Sequence, residues 1–401
     1  MLEERLPGRI VMKSLSKFTL AGRLSLLAPL VVVGAIEASA ADITRRPVAQ
    51  THRPSEDASA KPLPLPLPPR ALALPTLQGA IADAAAPIGR PGQVPGRAPG
   101  LVPGRAGDPA DAGVEALRLP TTRMSIPDAS APQDFGTGLM PFTTSRVRTG
   151  ASNSTAQVQF PFSAAGRLFF RVGASSAWCS GAMVGKGVVL TAAHCVASFG
   201  TRTLYGSFEF VPAFDNGKAP FGRWKAERVY LLTSYFDGRE ACAAAGVVCQ
   251  NDVALLVVVP QRNKLPGTTT GWFGYGYDGF GYGTGASQID QLGYPATLDG
   301  GNLMQRNASM GVVRANLAGN QLIGSLMTGG SSGGPWVVNL GVAPVLNGTS
   351  VGAEAGRNVV VGVTSWGYVD TTVKVQGASP VTSGNIKFLM DAACRDYPTR
   401  C

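Results

Sequence analysis

Apolar residues from about position 155 onward come in short runs bounded by glycine, proline or asparagine. Four of these runs are rich in β-branched side chains and span residues 168–172, 181–190, 253–259 and 358–364. Runs of this length and composition predict β-strands. Helical i, i+3, i+4, i+7 spacing is found only near the C-terminus, at Ile386, Leu389, Met390 and Ala393. The pattern therefore predicts an all-β fold with a short C-terminal helix.

Residues 41–150 show no such pattern and are rich in proline. They contain Lys61-Pro-Leu-Pro-Leu-Pro-Leu-Pro-Pro-Arg70, and Val94-Pro-Gly-Arg-Ala98 recurs as Val102-Pro-Gly-Arg-Ala106. Such a stretch buries too little apolar surface to offset its chain entropy, so we expect a disordered Pro/Ala/Gly-rich leader. Two interpretations stay open: a propeptide cut near Arg146 or Arg148, or a linker with no role in activity.

The N-terminus has the order of a secretory signal. Lys13, Lys17 and Arg23 precede the apolar residues 24–36, and Ala38-Ser-Ala40 follows. This basic, apolar, small order predicts a signal peptide over residues 1–40, cleaved after Ala40. The 13 apolar residues fall short of the roughly 20 that span a bilayer. We expect a secreted protein, extracellular or periplasmic, with no stable membrane insertion.

Charge and cysteine content narrow the function classes. The net charge of the 401 residues is +10, of which +5 lies in residues 151–401, and no block of five Lys or Arg residues occurs. Scattered charge of this kind argues against a nucleic-acid partner. The even number of cysteines, with a signal peptide, favours disulfides over metal binding. Since His52 and His194 are the only histidines, we expect neither a metal site nor a cofactor.

Three segments carry the elements of nucleophilic catalysis: Thr191-Ala-Ala-His194-Cys195, Asn251-Asp252-Val-Ala-Leu-Leu256 and Gly330-Ser-Ser332-Gly-Gly-Pro335. A serine hydroxyl becomes a good nucleophile when an imidazole takes its proton and a buried carboxylate orients that imidazole. Each residue also has a structural interpretation: a packed histidine, an aspartate capping a turn, and a serine in a flexible Gly/Ser loop.

In their order and local sequence these segments resemble the chymotrypsin-like serine proteases. The resemblance covers roughly residues 155–395 and is most similar to the bacterial glutamyl-endopeptidase (V8-like) branch, through residues 160–170, 293–295 and 328–336. It implies two Greek-key six-stranded β-barrels within residues 151–401. It also implies a secreted, monomeric serine endopeptidase that cuts protein or peptide substrates with a triad of His194, Asp252 and Ser332.

The resemblance also implies further site residues. The amides of Gly330 and Ser332 would form the oxyanion hole. Ser365, Trp366 and Gly367 would pair with the substrate as an added strand, with Ser365 bonded to Asp252. The disulfide of the histidine loop would join Cys179 and Cys195, and the four cysteines left form two pairs close in sequence. We therefore predict 179–195, 242–249 and 394–401, hence Cys179, Cys195, Cys242, Cys249, Cys394 and Cys401 all bonded.

Three positions depart from the relatives' pattern. Ser331 stands where the animal digestive enzymes have the aspartate that receives the new N-terminus, so that activating ion pair is not expected. Thr364 replaces the histidine with which the V8-like branch binds a P1 glutamate. Leu326, six residues before Ser332 and expected at the pocket base, removes the acid that selects Arg or Lys. We expect a neutral or apolar P1 preference.

Two other protein classes and one unusual segment stay in view. A catalytically inactive homologue used as a binding module would usually lack the serine or the histidine, and neither is missing here. A housekeeping protease of the HtrA type would continue into a PDZ domain, which is not expected. Residues 271–285 alternate glycine with aromatics. They would form either a recognition loop or, as we favour, a connection between barrels with its aromatics packed on the core.

Overall fold

The computed structural model describes residues 42–48, 54–57, 59–66, 100–107, 140–148, 156–283, 285–342, 345–346, 349–350, 356–368, 370 and 372–401. All of them belong to one compact unit, Ala41–Cys401. The predicted signal peptide and most of the predicted leader lie outside the described residues. No helix in this part of the chain is long and apolar enough to cross a membrane.

The described residues form strands numbered here in chain order: β1 Ile43–Pro47, β2 Lys61–Pro62, β3 Gly100–Val102, β4 Phe142–Arg146, β5 Ala165–Val172, β6 Ser175–Met183, β7 Val188–Thr191, β8 Ala197–Ser198, β9 Thr203–Leu204, β10 Gly206–Pro212, β11 Trp224–Leu232, β12 Cys242–Ala244, β13 Val248–Cys249, β14 Ala254–Val258, β15 Gly274–Tyr277, β16 Ala286–Gly293, β17 Gln305–Arg314, β18 Asn320–Gly324, β19 Pro335–Val338, β20 Val345–Leu346, β21 Thr349–Ser350, β22 Val359–Gly367 and β23 Val375–Pro380. The α-helices are α1 Thr233–Phe236, α2 Pro266–Thr270 and α3 Ile386–Asp396. Short 3-10 helices span Pro54–Glu56, Ala156–Val158, Phe162–Ala164, Ala193–Cys195, Asp299–Gly301, Ala315–Leu317 and Pro398–Arg400.

Two sets of six antiparallel strands close into barrels. Barrel 1 runs β11-β10-β5-β6-β7-β14, and β14 pairs back to β11. Barrel 2 runs β19-β16-β17-β18-β23-β22, and β22 pairs back to β19. Counted from the first strand of each barrel, the order around both rings is 4-1-2-3-6-5. The fourth strand thus returns beside the first, which is the Greek-key connection, and the predicted two-barrel all-β fold is confirmed.

The apolar core continues from one barrel into the other. One cluster of buried side chains includes Leu190 and Leu255 of barrel 1 together with Leu292, Val337 and Val363 of barrel 2. Packing of this kind fixes the two barrels against each other, because well-packed interiors resist displacement of their parts. Residues at the barrel interface are therefore held in a defined geometry.

The predicted C-terminal helix is present as α3. Its buried face contains Ile386, Leu389, Met390 and Ala393, the residues that gave the helical spacing. The side chain of Asn385 accepts a hydrogen bond from the amide of Ile386 and so caps the first turn. The helix closes on the barrels and carries the first cysteine of the Cys394–Cys401 disulfide.

One detail of the strand prediction needs correction, and one open alternative is decided. The run predicted as one strand over residues 181–190 is two strands, because Gly185 and Gly187 form a turn closed by a hydrogen bond from Val184 N to Val188 O. In the Gly/aromatic segment 271–285, Phe273 and Tyr282 are fully buried. Its aromatics thus pack on the core, as favoured above.

The prediction that residues 41–150 are disordered is wrong for four segments. Strand β1 pairs with β11, β2 with β6, β3 with β15 and β4 with β17. As an isolated chain, the leader buries too little apolar surface to fold. On the folded protein, the barrels supply hydrogen-bond partners and apolar contacts, so that Phe142 is 3% exposed and Leu65 is 7% exposed.

Candidate active site

His194 lies in the short helix Ala193–Cys195, directly after strand β7 of barrel 1. The Cys179–Cys195 disulfide ties this helix to strand β6. The histidine is 7% exposed, so its ring is held in one place by its surroundings. Buried among residues from several strands, the imidazole is positioned by the barrel rather than by a flexible loop.

Asp252 is fully buried and receives three hydrogen bonds. Its Oδ1 accepts from the backbone amide of His194 at 2.8 Å, and its Oδ2 lies 2.7 Å from His194 Nδ1. Ser365 Oγ donates to the same Oδ2 at 2.6 Å. A buried carboxylate is costly unless it is hydrogen-bonded, and these partners provide that stabilisation. The arrangement makes Nδ1 a proton donor and leaves Nε2 of the imidazole as the proton acceptor.

Ser332 lies in the nucleophile loop, residues 325–334, which joins β18 to β19. Ser180 of barrel 1 holds this loop: its amide donates to Ser332 O at 2.7 Å and its hydroxyl donates to Gly330 O at 2.8 Å. Within the described residues, Ser332 Oγ and His194 Nε2 are both buried and have no hydrogen-bond partner. His194 and Asp252 are thus paired, and no hydrogen bond from Ser332 Oγ to His194 Nε2 is present among these residues.

Gly330 donates a hydrogen bond from its amide to Leu63 O of the leader at 3.0 Å. The residue has φ of +93°, a backbone conformation that favours glycine. A Cβ atom at this position would lie 2.5 Å from Trp178 Nε1 and 2.6 Å from Tyr294 O. The amide can therefore serve as an oxyanion donor only while residue 330 has no side chain.

Ser331, next to the candidate nucleophile, is satisfied by neutral hydrogen bonds. Its hydroxyl donates to Thr328 O at 2.7 Å and accepts from Gln376 Nε2 at 3.3 Å. These bonds stand where the digestive relatives have an ion pair. The loop thus reaches its arrangement without a buried charge at residue 331.

Strand β22 carries the three residues expected to bind the substrate backbone. Ser365 uses its side chain on Asp252, and the amide of Gly367 is directed into the cleft, where it donates to Pro66 O at 3.1 Å. The side chain of Trp366 is fully buried and donates to Asn320 Oδ1 at 2.6 Å. Only the backbone of Trp366 could contact a peptide.

A cavity of about 300 Å³ opens beside the nucleophile loop. Its lining comprises Ser325, Leu326, Met327, Thr328, Gly329, Gly367, Tyr368, Val373, Lys374, Val375 and Gln376, together with Pro64 and Leu65 of the leader. Leu326 lies in this lining, as expected. The lining contains no acidic residue and no histidine.

Thr364 does not line the cavity and has no free hydrogen-bonding capacity for a ligand. Its hydroxyl accepts from Gln291 Nε2 at 3.0 Å and from Trp336 Nε1 at 2.9 Å, and it donates to Gly334 O at 3.1 Å. A hydroxyl has one donor and two acceptor sites. The position that holds the P1-binding histidine in the V8-like branch is therefore committed to the interior of barrel 2.

The cysteines pair as predicted: 179–195, 242–249 and 394–401. Cys179, His194 and Cys195 form the one metal-sized group of possible ligands within the described residues. Both sulfurs of that group are oxidised in the disulfide and are not thiolate ligands.

Two residues near the site were not foreseen from the sequence. Burial, and in second place the charge of Asp252, raises the pKa of Tyr235 well above its usual value, so this tyrosine stays neutral beside the carboxylate. Arg167 packs over the ring of Trp178 at 3.9 Å and donates to Gly301 O at 3.0 Å, and burial lowers its pKa to about 9. Neither residue lies in a motif, so only the folded structure reveals them.

No protein-family profile matches the chain. Among curated proteins, a glutamyl endopeptidase of Bacillus licheniformis is 24% identical over 130 residues. That alignment covers 32% of this chain and 35% of the relative, so it spans well under two thirds of the relative's length.

Solved structures with a similar chain include the protease Anisep from Arthrobacter nicotinovorans, with 26% identity, a TM-score of 0.46, and coverage of 58% of this chain and 96% of that one. A Glu endopeptidase in complex with MPD has 19% identity, a TM-score of 0.43, and coverage of 62% and 97%. The architecture itself follows from the closed strand rings described above. The chain resembles chymotrypsin-like serine proteases, as its motifs indicate.

Proposed function

We propose that this protein is a serine endopeptidase with Ser332 as nucleophile, His194 as general base and Asp252 as the carboxylate that orients the histidine. The observation that carries the proposal is the buried Asp252, which accepts from both the amide and Nδ1 of His194. This pairing leaves Nε2 as the proton acceptor. A relay of this type is what a weakly acidic hydroxyl needs in order to attack an amide.

The chemistry proceeds in two halves. Ser332 Oγ attacks the substrate carbonyl carbon while its proton moves to His194 Nε2, and the carbonyl oxygen takes the negative charge beside the amides of Gly330 and Ser332. The C–N bond then breaks, and the amine leaves with the proton from Nε2. Water repeats the sequence on the acyl-enzyme and releases the acid. Asp252 stabilises the imidazolium in both halves without taking its proton.

The cavity beside the nucleophile loop fits a neutral or apolar P1 side chain. Leu326 and Val375 line it together with Lys374, which has an interaction partner of its own, and no carboxylate is present to pair with Arg or Lys. Thr364 has its hydroxyl fully used and offers no bond to a P1 carboxylate. Profiling with a peptide library should therefore show apolar residues at P1, and a profile dominated by Glu, or by Arg and Lys, would contradict this assignment.

Secretion and loss of the predicted signal peptide complete the proposal. The N-terminal order of basic, apolar and small residues supports export, and three disulfides suit an oxidising compartment. We infer that the exported chain, after loss of residues 1–40, acts as a monomer on protein or peptide substrates.

The nucleophile can be identified by labelling with a fluorophosphonate followed by peptide mass spectrometry. We expect the label on Ser332 and none on Ser332→Ala. Ser176→Ala is a matched control, because Ser176 Oγ is also buried and without a partner among the described residues but belongs to strand β6. Normal labelling of Ser332→Ala would contradict Ser332 as the nucleophile. A folded chain that is not labelled and hydrolyses no peptide, with or without its leader, would favour the inactive binding module instead.

A further inference from the structure

Residues 61–66, Lys-Pro-Leu-Pro-Leu-Pro, cross the cleft between the barrels and are called the strap here. Leu63 N donates to Trp178 O of barrel 1 at 2.9 Å, and Leu63 O accepts from the amide of Gly330 at 3.0 Å. At the other end, Pro66 O accepts from the amide of Gly367 in barrel 2 at 3.1 Å. The strap thus uses one of the two amides assigned to the oxyanion hole and the amide assigned to substrate binding.

The side chain of Leu65 belongs to the wall of the candidate P1 cavity. Leu65 is 7% exposed, and it lines the cavity together with Leu326 and Val375. It packs so closely on β22 that a Cβ atom added to Gly367 would lie 3.3 Å from Leu65 Cδ1. An apolar side chain of the strap therefore forms part of the wall of the cavity that a substrate's P1 residue would need.

The polarity of the strap is opposite to that of a cleavable peptide. In a substrate, the residue whose carbonyl meets Gly330 also fills the P1 cavity, and the residues before it lie along barrel 2. Here the carbonyl at Gly330 belongs to Leu63, but the residues before it run beside β6 of barrel 1 in parallel register. The residues after it, Pro64 to Pro66, lie at the cavity and at β22. The carbonyl of Leu63 thus lies at Gly330, as the scissile carbonyl of a substrate would. The chain that follows it, starting with Pro64, lies where the acyl part of a substrate would bind and not where the leaving amine would.

The alternating prolines suit this role for two physical reasons. Each proline fixes its own φ and biases the preceding residue to extended backbone, so the segment loses little conformational entropy on binding. Proline also has no N–H, so the amide between Leu63 and Pro64 is tertiary and substituted by a ring. The strap is a preorganised ligand for the cleft.

We propose that the cleft is a binding site for proline-alternating apolar peptides, and that the chain's own strap is its ligand and a tethered inhibitor. This inference rests on the proposed protease function. Leu63 O occupies the Gly330 amide, Pro66 O occupies the Gly367 amide, and Leu65 lies at the cavity wall, so the strap excludes substrate from the cleft. Activity then requires that residues 61–66 leave the cleft, through cleavage of the leader or through displacement.

The first test compares full-length chains by initial rates on a small apolar p-nitroanilide substrate, with intact mass showing that the strap is still attached. Leu65→Asp removes the apolar side chain that packs on Gly367 of β22, and we expect at least a tenfold faster rate and faster fluorophosphonate labelling of Ser332. Leu101→Asp is the matched control, because Leu101 belongs to the leader strand β3 and is 37% exposed. Its rate should equal that of wild type. Leu65→Ala, expected to show a smaller gain, replaces Leu65→Asp if the latter does not fold.

The second test adds the strap as a free peptide. An acetylated peptide of residues 61–66 should inhibit the Leu65→Asp enzyme competitively and stay uncut, whereas the same peptide with Asp in place of Leu65 should not inhibit. A fluorescent version should bind the Leu65→Asp chain that also carries Ser332→Ala, as read by anisotropy. This binding readout does not depend on catalysis.

The outcomes separate the two proposals. Hydrolysis by every variant at the wild-type rate, with no binding of the peptide, overturns the strap and leaves the protease intact. Specific peptide binding with no hydrolysis and no labelling by any variant supports the strap as a ligand and overturns the protease. Cleavage of the free peptide between Leu63 and Pro64 would show the ordinary polarity and overturn the reversed one.

Discussion

Replacement of Asp252 by Asn tests the relay most directly, because it keeps the size of the side chain and removes its charge. In the structure, Asp252 Oδ1 accepts from the amide of His194, and Oδ2 accepts from Nδ1 of His194 and from Ser365 Oγ. The amide oxygen of Asn would take the Oδ1 position, where the partner is a backbone N–H that can only donate. Its NH₂ group then faces Nδ1.

The consequence is a change of tautomer. An NH₂ group donates, so Nδ1 becomes the acceptor and the proton of the neutral imidazole moves to Nε2. With Nε2 protonated, His194 cannot take the proton of Ser332. The same exchange in a serine-protease triad lowers kcat by about 10⁴-fold, which corresponds to about 5.5 kcal/mol of barrier at 1.36 kcal/mol for each factor of ten.

The assay is kcat/KM on an apolar peptide substrate, measured on chains freed of the strap by Leu65→Asp. Ser365→Ala is the matched control: it removes one hydrogen bond to Asp252 and leaves the bond to Nδ1 intact, so we expect a loss of roughly tenfold or less, since one hydrogen bond to a charged group contributes about 1.5 kcal/mol. Activity of Asp252→Asn within tenfold of its parent would refute the tautomer argument.

Three further substitutions probe the loop and the leader. Gly330→Ala should lower kcat/KM by at least about 100-fold through loss of the oxyanion donor. Gly341→Ala is its control, because Gly341 also has a positive φ, +76°, but has nothing within 4 Å of an added Cβ. This control should lose about 1 kcal/mol of stability and keep its activity. Phe142→Ala in β4, measured by urea unfolding on the Ser332→Ala chain, should lower the free energy of unfolding by about 3 kcal/mol. An unchanged free energy of unfolding would mean that β4 does not contribute to the fold. The hydrogen bond from Arg146 lowers the pKa of Asp299, so the carboxylate stabilises the fold above the ordinary aspartate pKa and this contribution is lost as pH falls through the lowered value. Asp299→Asn should therefore be about 0.5 kcal/mol less stable than wild type at pH 7 and equal to it near pH 2, and a difference that persists at acid pH contradicts the pairing.

The sequence predicted the two-barrel fold because strand runs, turn residues and the terminal helix spacing are local signals. It also indicated the three segments that we propose form the triad, because each has a recognisable local sequence. The residues that support the site differ from the three segments themselves, because only the fold brings them to the site. Ser180 holds the nucleophile loop through bonds 150 residues apart in sequence, and Tyr235 lies beside Asp252 through packing alone. No local pattern encodes such contacts.

The leader shows the limit of reasoning from composition. Low capacity to form a core of its own predicts disorder for a chain in water, and residues 61–66 indeed make no core. They instead complete a cavity that the barrels had already built, where each proline reduces the entropy that binding costs. A segment can therefore be unfoldable by itself and well placed on a partner surface that belongs to the same chain.

The placement of the strap on the barrels bears on how the chain would be kept inactive. With Ser331 held by neutral hydrogen bonds, the nucleophile loop needs no new N-terminal charge to take its shape, and the amide of Gly330 already points into the cleft, where Leu63 O accepts its hydrogen bond. Deformation of the loop is then not available as a means of latency. Occupation of the cleft by the strap can keep the chain inactive instead. Removing the strap should then restore activity without any rearrangement of residues 325–334. Hydrogen-exchange protection of the amides in this loop, measured before and after activation, tests this prediction.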